Sequence, residues 1–313
     1  TKMAKTKSKK YEPDDEEAGR LRLGIVGHGF VGQAVDFAFT HQGLTKFYVD
    51  PKHDTTVDDL VDWEPQIVFI CAPTPMSESG FVDASIVEDA VLKLLEHTKA
   101  MVVIKSTVTP DIIDRLYNSL FKEDIHRLLY NPEFLTEANA KRDFVNAPFH
   151  VIGCVPGADK PLTEFYGLFS NCLSTSFAVV SPMEASYIKY TINSYLAMKV
   201  TFFNQLYDSC KKNGVNWHSI SRVVSNDARI GPSHMTVPGF DSKQGYGGAC
   251  FPKDTLAFTK YDKDLTLLAE CITINNEYRS QYELDDREKA QNVSYEQITE
   301  ELENQDDGDT VGE

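Results

Sequence analysis

The stretch 24–39, GIVGHGFVGQAVDFAF, carries an apolar run across three glycines into a segment with helical spacing of its apolar residues. Gly27, Gly29 and Gly32 stand in GxGxxG spacing. In that spacing the first glycine permits a tight turn and the second lets backbone approach a pyrophosphate. The third lets the following helix pack against the strand. Phe30 and Val31 lie between the last two glycines and are counted with the same phosphate-binding loop. The motif gains weight from the next strand, TKFYVD, which ends in Asp50. An acid at that place hydrogen-bonds the ribose hydroxyls of the adenosine and repels a 2′-phosphate. The expected cofactor is therefore NAD.

Working outward, LRLGIV, TKFYV, QIVFICA, MVVIKS, HRLLY and FHVIGC alternate with helical segments such as VEDAVLKLLEHTK and PDIIDRLYNSLF. Strand then helix, repeated, predicts an α/β fold with a Rossmann-like, doubly wound parallel sheet covered on both faces. In such sheets ligands bind at the carboxyl edge. Two loops fall there, APTP with Thr74 and STVTP with Thr107, and both hydroxyls are candidates for cofactor or substrate contact. A third, NPEFLTEANAKRDF, carries Glu133 and Glu137, which share a helical face if the segment turns directly after its proline.

From Ser181 the pattern becomes one long helix, with Ser181 as N-cap, Pro182 at its first position, Glu184 closing a capping box and Gly214 past its end. Its apolar and aromatic residues run around much of the cylinder, which predicts burial in a second, helical domain and against another subunit. The expected organisation is a loose tail over 1–20, a cofactor domain over 21–181, a helical central and dimerisation domain over 182–282, and an acidic tail over 283–313. A short helix is conceivable at YEQITEEL in that tail.

The net charge is −16, and the tail from Glu283 onward holds twelve acidic residues against two basic ones. The remainder is only mildly acidic, which argues against nucleic acid as a partner but leaves room for a local anion site. No apolar run is long enough for a membrane helix, so the chain reads as a soluble, cytoplasmic protein. The six cysteines are too widely spaced for a zinc site, and no metal is expected. Cys71, Cys154, Cys210 and Cys271 fit core positions.

Cys250 does not, because it sits in GYGGACFPKD, residues 245–254. There the glycines expose backbone, Lys253 favours a thiolate, and Asp254 is placed to handle a proton or water. Lys189 and Asn193, four apart on the long helix, project together, and a lysine in a cleft steadies an alkoxide. A thiol beside a nicotinamide suggests trapping of an aldehyde.

With these pieces in place the sequence resembles the UDP-glucose/GDP-mannose dehydrogenase family. The matching stretches are GHGFVG, APTP, STVTP, NPEFLTEANAKRDF, EASYIKYTIN, NDARIGPS and GYGGACFPKD, in family order. The resemblance implies an NAD-dependent, four-electron oxidation of a nucleotide sugar at C6, with UDP-glucose to UDP-glucuronate the first expectation. It implies Cys250 as nucleophile, Lys189 and Asn193 as stabilisers of oxygen anions, and Glu133 and Asp254 as acid-base and water-handling groups. Thr107 matches a threonine near the reacting centre, while Thr74 and Glu137 match cofactor contacts. Arg229 matches an arginine that reaches substrate across a homodimer, and the Tyr246, Gly247 and Gly248 backbone matches a nucleotide-binding loop. Family members continue into a third, lid-like domain. CITINNEYRS runs instead into the acidic stretch, so the resemblance places that lid outside this chain. Two other readings stand beside this one: a two-electron hydroxyacid dehydrogenase, which needs no Cys250, and a regulatory protein that binds NAD or a nucleotide without efficient turnover.

Overall fold

A computed structural model describes residues 19–174 and 176–296. The chain divides into two units, one holding the residues to Thr74 and Ala84–Lys189, the other Pro75–Asp83 and the chain from Tyr190.

The first unit is built on seven strands: β1 (Leu21–Val26), β2 (Leu44–Val49), β3 (Ile67–Ile70), β4 (Met101–Ile104), β5 (Leu128–Tyr130), β6 (His150–Gly153) and β7 (Phe177–Val180). Their order is β2-β1-β3-β4-β5-β6-β7. β3, β5 and β6 are buried along their whole length and β4 along nearly all of it, as strands covered on both faces must be. Helices α1 (Phe30–Ala38), α2 (Val57–Asp62), α3 (Ser85–His97), α4 (Pro110–Ser119), α5 (Ala140–Val145) and α6 (Lys160–Phe169) belong to this unit. The core on one side is an aromatic cluster in which Phe39 meets Phe69, Phe165 and Tyr166 at ring separations of 5.2, 4.8 and 5.0 Å.

The strand order reverses at β1, which lies between β2 and β3. In a doubly wound sheet the ligand crevice opens at such a switch point, outside the carboxyl ends of the strands. Register aligns those ends: Val26 pairs with Val49 and Ile70, Ile70 with Ile104, and Ile104 with Tyr130. Gly27, Asp50, Cys71, Lys105 and Asn131 therefore leave the sheet in one row.

Two features depart from the sequence expectation. β5 and β6 are antiparallel, because α5 is only six residues, about 9 Å long, and does not carry the chain back along the sheet for a parallel return. β7 was not foreseen: its four residues sit at the sheet edge with none fully buried, and they run straight into a helix cap.

The long helix α7 (Pro182–Lys212) is present as read. Ser181 N–H donates to Glu184 Oε2 at 2.7 Å and Glu184 N–H to Ser181 Oγ at 3.3 Å, which is the predicted capping box. Gly214 beyond it has φ +68°, the left-handed conformation that ends helices. The first turn packs tightly, for a methyl on Gly153 would lie 2.6 Å from the Ala185 Cβ.

The second unit contains α8 (Trp217–Val224), α9 (Phe251–Tyr261), α10 (Thr266–Arg279) and α11 (Asp286–Ala290). Tyr190 packs with Ala257, Phe258, Leu268 and Ile272, and a second cluster gathers Phe203, Trp217, Met235 and Val237. Residues 283–296, assigned from composition to an acidic tail, pack against this unit: Glu288, Val293 and Tyr295 are buried. The early tail and the helix expected at YEQITEEL fall largely outside the described residues. No helix among the described residues is long and apolar enough to cross a membrane.

Candidate active site

The glycine loop of the first unit is shaped by its neighbours. Gly27 has φ +87°, and a methyl there would lie 2.5 Å from the Cys71 carbonyl oxygen. Gly32 abuts the Gly27 carbonyl closely enough to exclude any side chain. A methyl on Gly29 would meet no protein atom within 4 Å, so backbone faces open space there, at the start of α1. The first amides of a helix lack intrahelical acceptors and favour an anion. Phe30, Val31 and Gly32 supply those amides.

Asp50 is tied to this loop. Its Oδ2 accepts from the His28 amide at 2.8 Å and its Oδ1 from the Lys52 amide at 2.9 Å. These backbone hydrogen bonds hold the carboxyl below its usual range, so it is anionic at neutral pH. Open glycine backbone, helix amides and an ionised acid at the second strand's end fit the diphosphate and ribose of NAD.

Thr74 and Thr107 are brought together: the Thr74 hydroxyl donates to the Thr107 carbonyl at 2.9 Å, and Ser106 Oγ donates to the Ala72 carbonyl at 2.7 Å. The Thr74 proton is thus spent on the loop, leaving lone pairs to accept. Glu133 and Glu137 do not share a helical face. Residues 131–136 are irregular, because the Glu133 carboxylate takes the Leu135 amide at 2.6 Å, and Glu137 opens a 3₁₀ turn, Glu137–Asn139. Glu133 pairs instead with Lys189, whose Nζ lies 3.2 Å from Glu133 Oε1 and 2.6 Å from its carbonyl oxygen. Both side chains are buried, and the ammonium sits 5.5 Å from the Phe134 ring centroid. A buried pair of this kind is held in one geometry, since separating it strands a charge.

In the second unit Cys250 occupies the N-cap position of α9. A helix N-terminus favours a thiolate. The Asp254 carboxylate, 1% exposed, accepts from Asn193 Nδ2 at 2.7 Å through one oxygen and from Lys253 Nζ at 2.7 Å through the other. Lys253, expected beside the thiol, thus also pairs with Asp254. Lys189 and Asn193 stand one turn apart on α7 and each engages a carboxylate of its own unit.

The 245–248 backbone is harnessed by side chains. Gly245 N–H donates to Asn204 Oδ1 at 3.0 Å, Tyr246 N–H to Asn275 Oδ1 at 2.7 Å, and Gly248 N–H to Glu288 Oε1 at 3.2 Å. The Tyr246 ring is buried with Ala197 and Cys271. Gly248, at φ +83°, has no atom within 4 Å of where a methyl would stand. Arg229 is 88% exposed and held by Asp227 through two hydrogen bonds of 3.0 and 2.6 Å. None of the six cysteines is in a disulfide, and the described residues contain no cluster of three His, Cys, Asp or Glu able to hold a metal.

Asn204, Asn275, Arg279 and Glu288 were missed by the sequence reading. The only local signal was the capping box of DDRE, in which the Asp285 carboxylate caps α11 and Glu288 reaches back to the Asp285 amide. Lys105 was also missed. It is 2% exposed, donates to Asn131 Oδ1 at 3.1 Å, and burial pushes its ammonium down to about 8.

A doubly wound sheet with a glycine-rich first turn, followed by a helical unit bearing a cysteine on a helix N-terminus, defines a dinucleotide-dependent dehydrogenase architecture. Comparison with known proteins gives the family. The NAD binding domain of the UDP-glucose/GDP-mannose dehydrogenase family matches residues 54–167 and its central domain residues 183–277. The chain belongs to that family. The glycine loop and Asp50 precede the matched range and stand on their own geometry. The UDP-glucose 6-dehydrogenase of Rhizobium meliloti is 35% identical over 225 residues, which is 67% of this chain and 50% of that protein. A UDP-glucose dehydrogenase structure from Pyrobaculum islandicum superposes with TM-score 0.69 at 25% identity, covering 85% of this chain and 70% of that one. A 3-hydroxyisobutyrate dehydrogenase from Mycobacterium tuberculosis shares the fold, with TM-score 0.63 at 12% identity over 90% of this chain and 99% of that one. The chain spans about half the length of the curated relatives it matches.

Proposed function

We propose that this chain carries the catalytic residues of an NAD-dependent nucleotide-sugar dehydrogenase that takes a C6 alcohol to a carboxylate, with UDP-glucose as substrate. The observation that carries the reading is the buried Asn193–Asp254–Lys253 network, which joins α7 to the first turn of the helix that begins at Cys250, with 2.7 Å hydrogen bonds on both sides of the carboxylate. A simple two-electron alcohol oxidation does not need such a nucleophile. The relatives named as UDP-glucose dehydrogenases support the choice of sugar nucleotide.

NAD, when bound, accepts the electron pair of each oxidation, alcohol to aldehyde and thiohemiacetal to thioester, so two molecules are consumed per substrate. The Cys250 thiolate adds to the aldehyde carbon, forming a C–S bond while the carbonyl oxygen takes the electron pair. Glu133 takes the hydroxyl proton as the alcohol is oxidised, Lys189, paired with it, neutralises oxygen anions in this sequence, and Thr107 helps to place the reacting carbon. Asp254 takes a proton from the water that attacks the thioester, and the C–S bond breaks with the pair returning to sulfur. Asn193 holds Asp254 in the orientation for this. Glu137 and Thr74 contact the cofactor, and the Gly247 and Gly248 backbone meets the nucleotide. Arg229, exposed and pre-oriented by Asp227, serves the site of a second copy in a homodimer built on α7. A reducing compartment such as the cytoplasm keeps Cys250 a thiol.

The test is a panel of UDP- and GDP-sugars with NAD, following reduced cofactor and carboxylate together. Two reduced cofactors per carboxylate, with Cys250→Ser losing steady-state turnover, is the expected result. One reduced cofactor per product would return the two-electron reading, and full activity in Cys250→Ser would overturn the thioester.

A further inference from the structure

The acidic segment after α10 is tied into the loop that presents Cys250. Glu288 is fully buried, and both of its oxygens accept hydrogen bonds. Oε1 accepts from Arg279 at 2.7 Å, from the Tyr295 hydroxyl at 2.6 Å and from the Gly248 amide at 3.2 Å. Oε2 accepts from the Asp285 amide at 2.8 Å. The Gly248 amide is two residues from Cys250. Gly247, next to it, has no room for a side chain, for a methyl there would lie 2.5 Å from Glu288 Oε1 and overlap the Arg279 guanidinium.

The segment is anchored from a second side. The Gln291 carbonyl accepts the Met76 amide at 3.1 Å, and Asn292 Nδ2 donates to the Met76 carbonyl at 3.1 Å. Arg279 is itself held by Asp241 at 2.8 Å. Burial raises the Glu288 pKa, and the hydrogen bonds from Tyr295, the Asp285 amide and Arg279 outweigh it, so the group ionises below the ordinary glutamate range.

A buried ion pair is a poor way to add stability, because well-packed apolar residues do as well or better. What this pair does that apolar packing cannot is accept a backbone hydrogen bond from the loop. We propose that Glu288 is a positioning residue for Cys250: with Arg279 and Tyr295 it fixes the 247–248 backbone and so sets where the thiol stands at the start of α9. The proposal rests on the reading of Cys250 as nucleophile. It assigns the 285–296 segment to the support of the catalytic apparatus.

The experiment uses the full chain with Glu288→Gln and Tyr295→Phe. Cys250 alkylation by iodoacetamide is followed across pH by peptide mapping, with Cys172 in the same sample as reference. Glu288→Gln should shift the Cys250 profile to higher pH and slow it about tenfold at neutral pH, as the thiol leaves the helix N-terminus. Tyr295→Phe, missing one hydrogen bond, should slow it about threefold. The Cys172 rate should not change in either variant. In turnover, kcat should fall by up to about 100-fold in Glu288→Gln, the effect of a misplacement near 1 Å, with KM for NAD unchanged. An unaltered Cys250 profile in Glu288→Gln overturns the proposal, as does a Cys172 rate that changes in parallel with that of Cys250. Where Glu288→Gln does not fold, the same outcomes in Tyr295→Phe decide it. The nucleophile reading fails separately, through active Cys250→Ser, because alkylation reports the position of the thiol whether or not turnover uses it.

Discussion

Asp50 performs two jobs with one carboxylate. Both oxygens accept backbone amides, one of them inside the glycine loop, so the group proposed to meet the ribose also fixes the loop proposed to meet the diphosphate. Its charge repels a 2′-phosphate, and NAD should be preferred over NADP. Asp50→Ala should narrow that preference and weaken NAD as well, by about tenfold, because the His28 amide loses its acceptor. Cofactor titration by fluorescence checks both; equal catalytic efficiency with the two cofactors in the wild-type protein would refute the role of Asp50. At this scale the sequence was a good guide to local geometry that follows from spacing, as with the turn at Gly27, the close approach at Gly32 and the place of Asp50 at a strand end. It failed where a side chain's partner is remote. Nothing local says that Lys253 turns to Asp254, that Glu133 folds back on Leu135, or that Arg279 meets a glutamate nine residues further along.

Among the elements, those announced by their own ends were legible. Ser181, Pro182 and Glu184 marked the start of α7, and Gly214 its end, because caps and left-handed glycines act within a few residues. β7 and the reversal of β6 were not legible, since strand direction depends on how the connecting chain returns and an edge strand needs little apolar surface. The juncture of β6 with α7 offers a test of packing. A Cβ on Gly153 would come within 2.6 Å of the Ala185 Cβ and 2.9 Å of the Pro182 Cα. Gly153→Ala should therefore destabilise by about 1–3 kcal/mol through overpacking. Urea unfolding measures it, and an unshifted midpoint would show that the first turn of α7 yields freely.

For the whole molecule, the exposed aromatics of α7 matter most. Tyr195 and Phe202 are each 60% exposed, seven residues apart, and so fall on one side of the helix. The proposed homodimer should bury them, and sedimentation at micromolar concentration should give twice the chain mass. Tyr195→Lys with Phe202→Lys should yield monomers that keep NAD binding, since Gly27 and Asp50 are untouched. A wild-type monomer would remove both the dimer and the role given to Arg229.

Arg279 also bears on where the molecule can be cut. Its guanidinium is 1% exposed and is balanced by Asp241 on one arm and Glu288 on the other. A boundary at the 282/283 junction suggested by composition leaves that cation without its Glu288 partner and uncovers the space that Val293 and Tyr295 fill, and one at residue 277, where the central domain match ends, removes the cation altogether. A piece that keeps every one of these Glu288 hydrogen bonds runs through Tyr295, so the residues that look most dispensable in the sequence are the ones that seal the glycine loop.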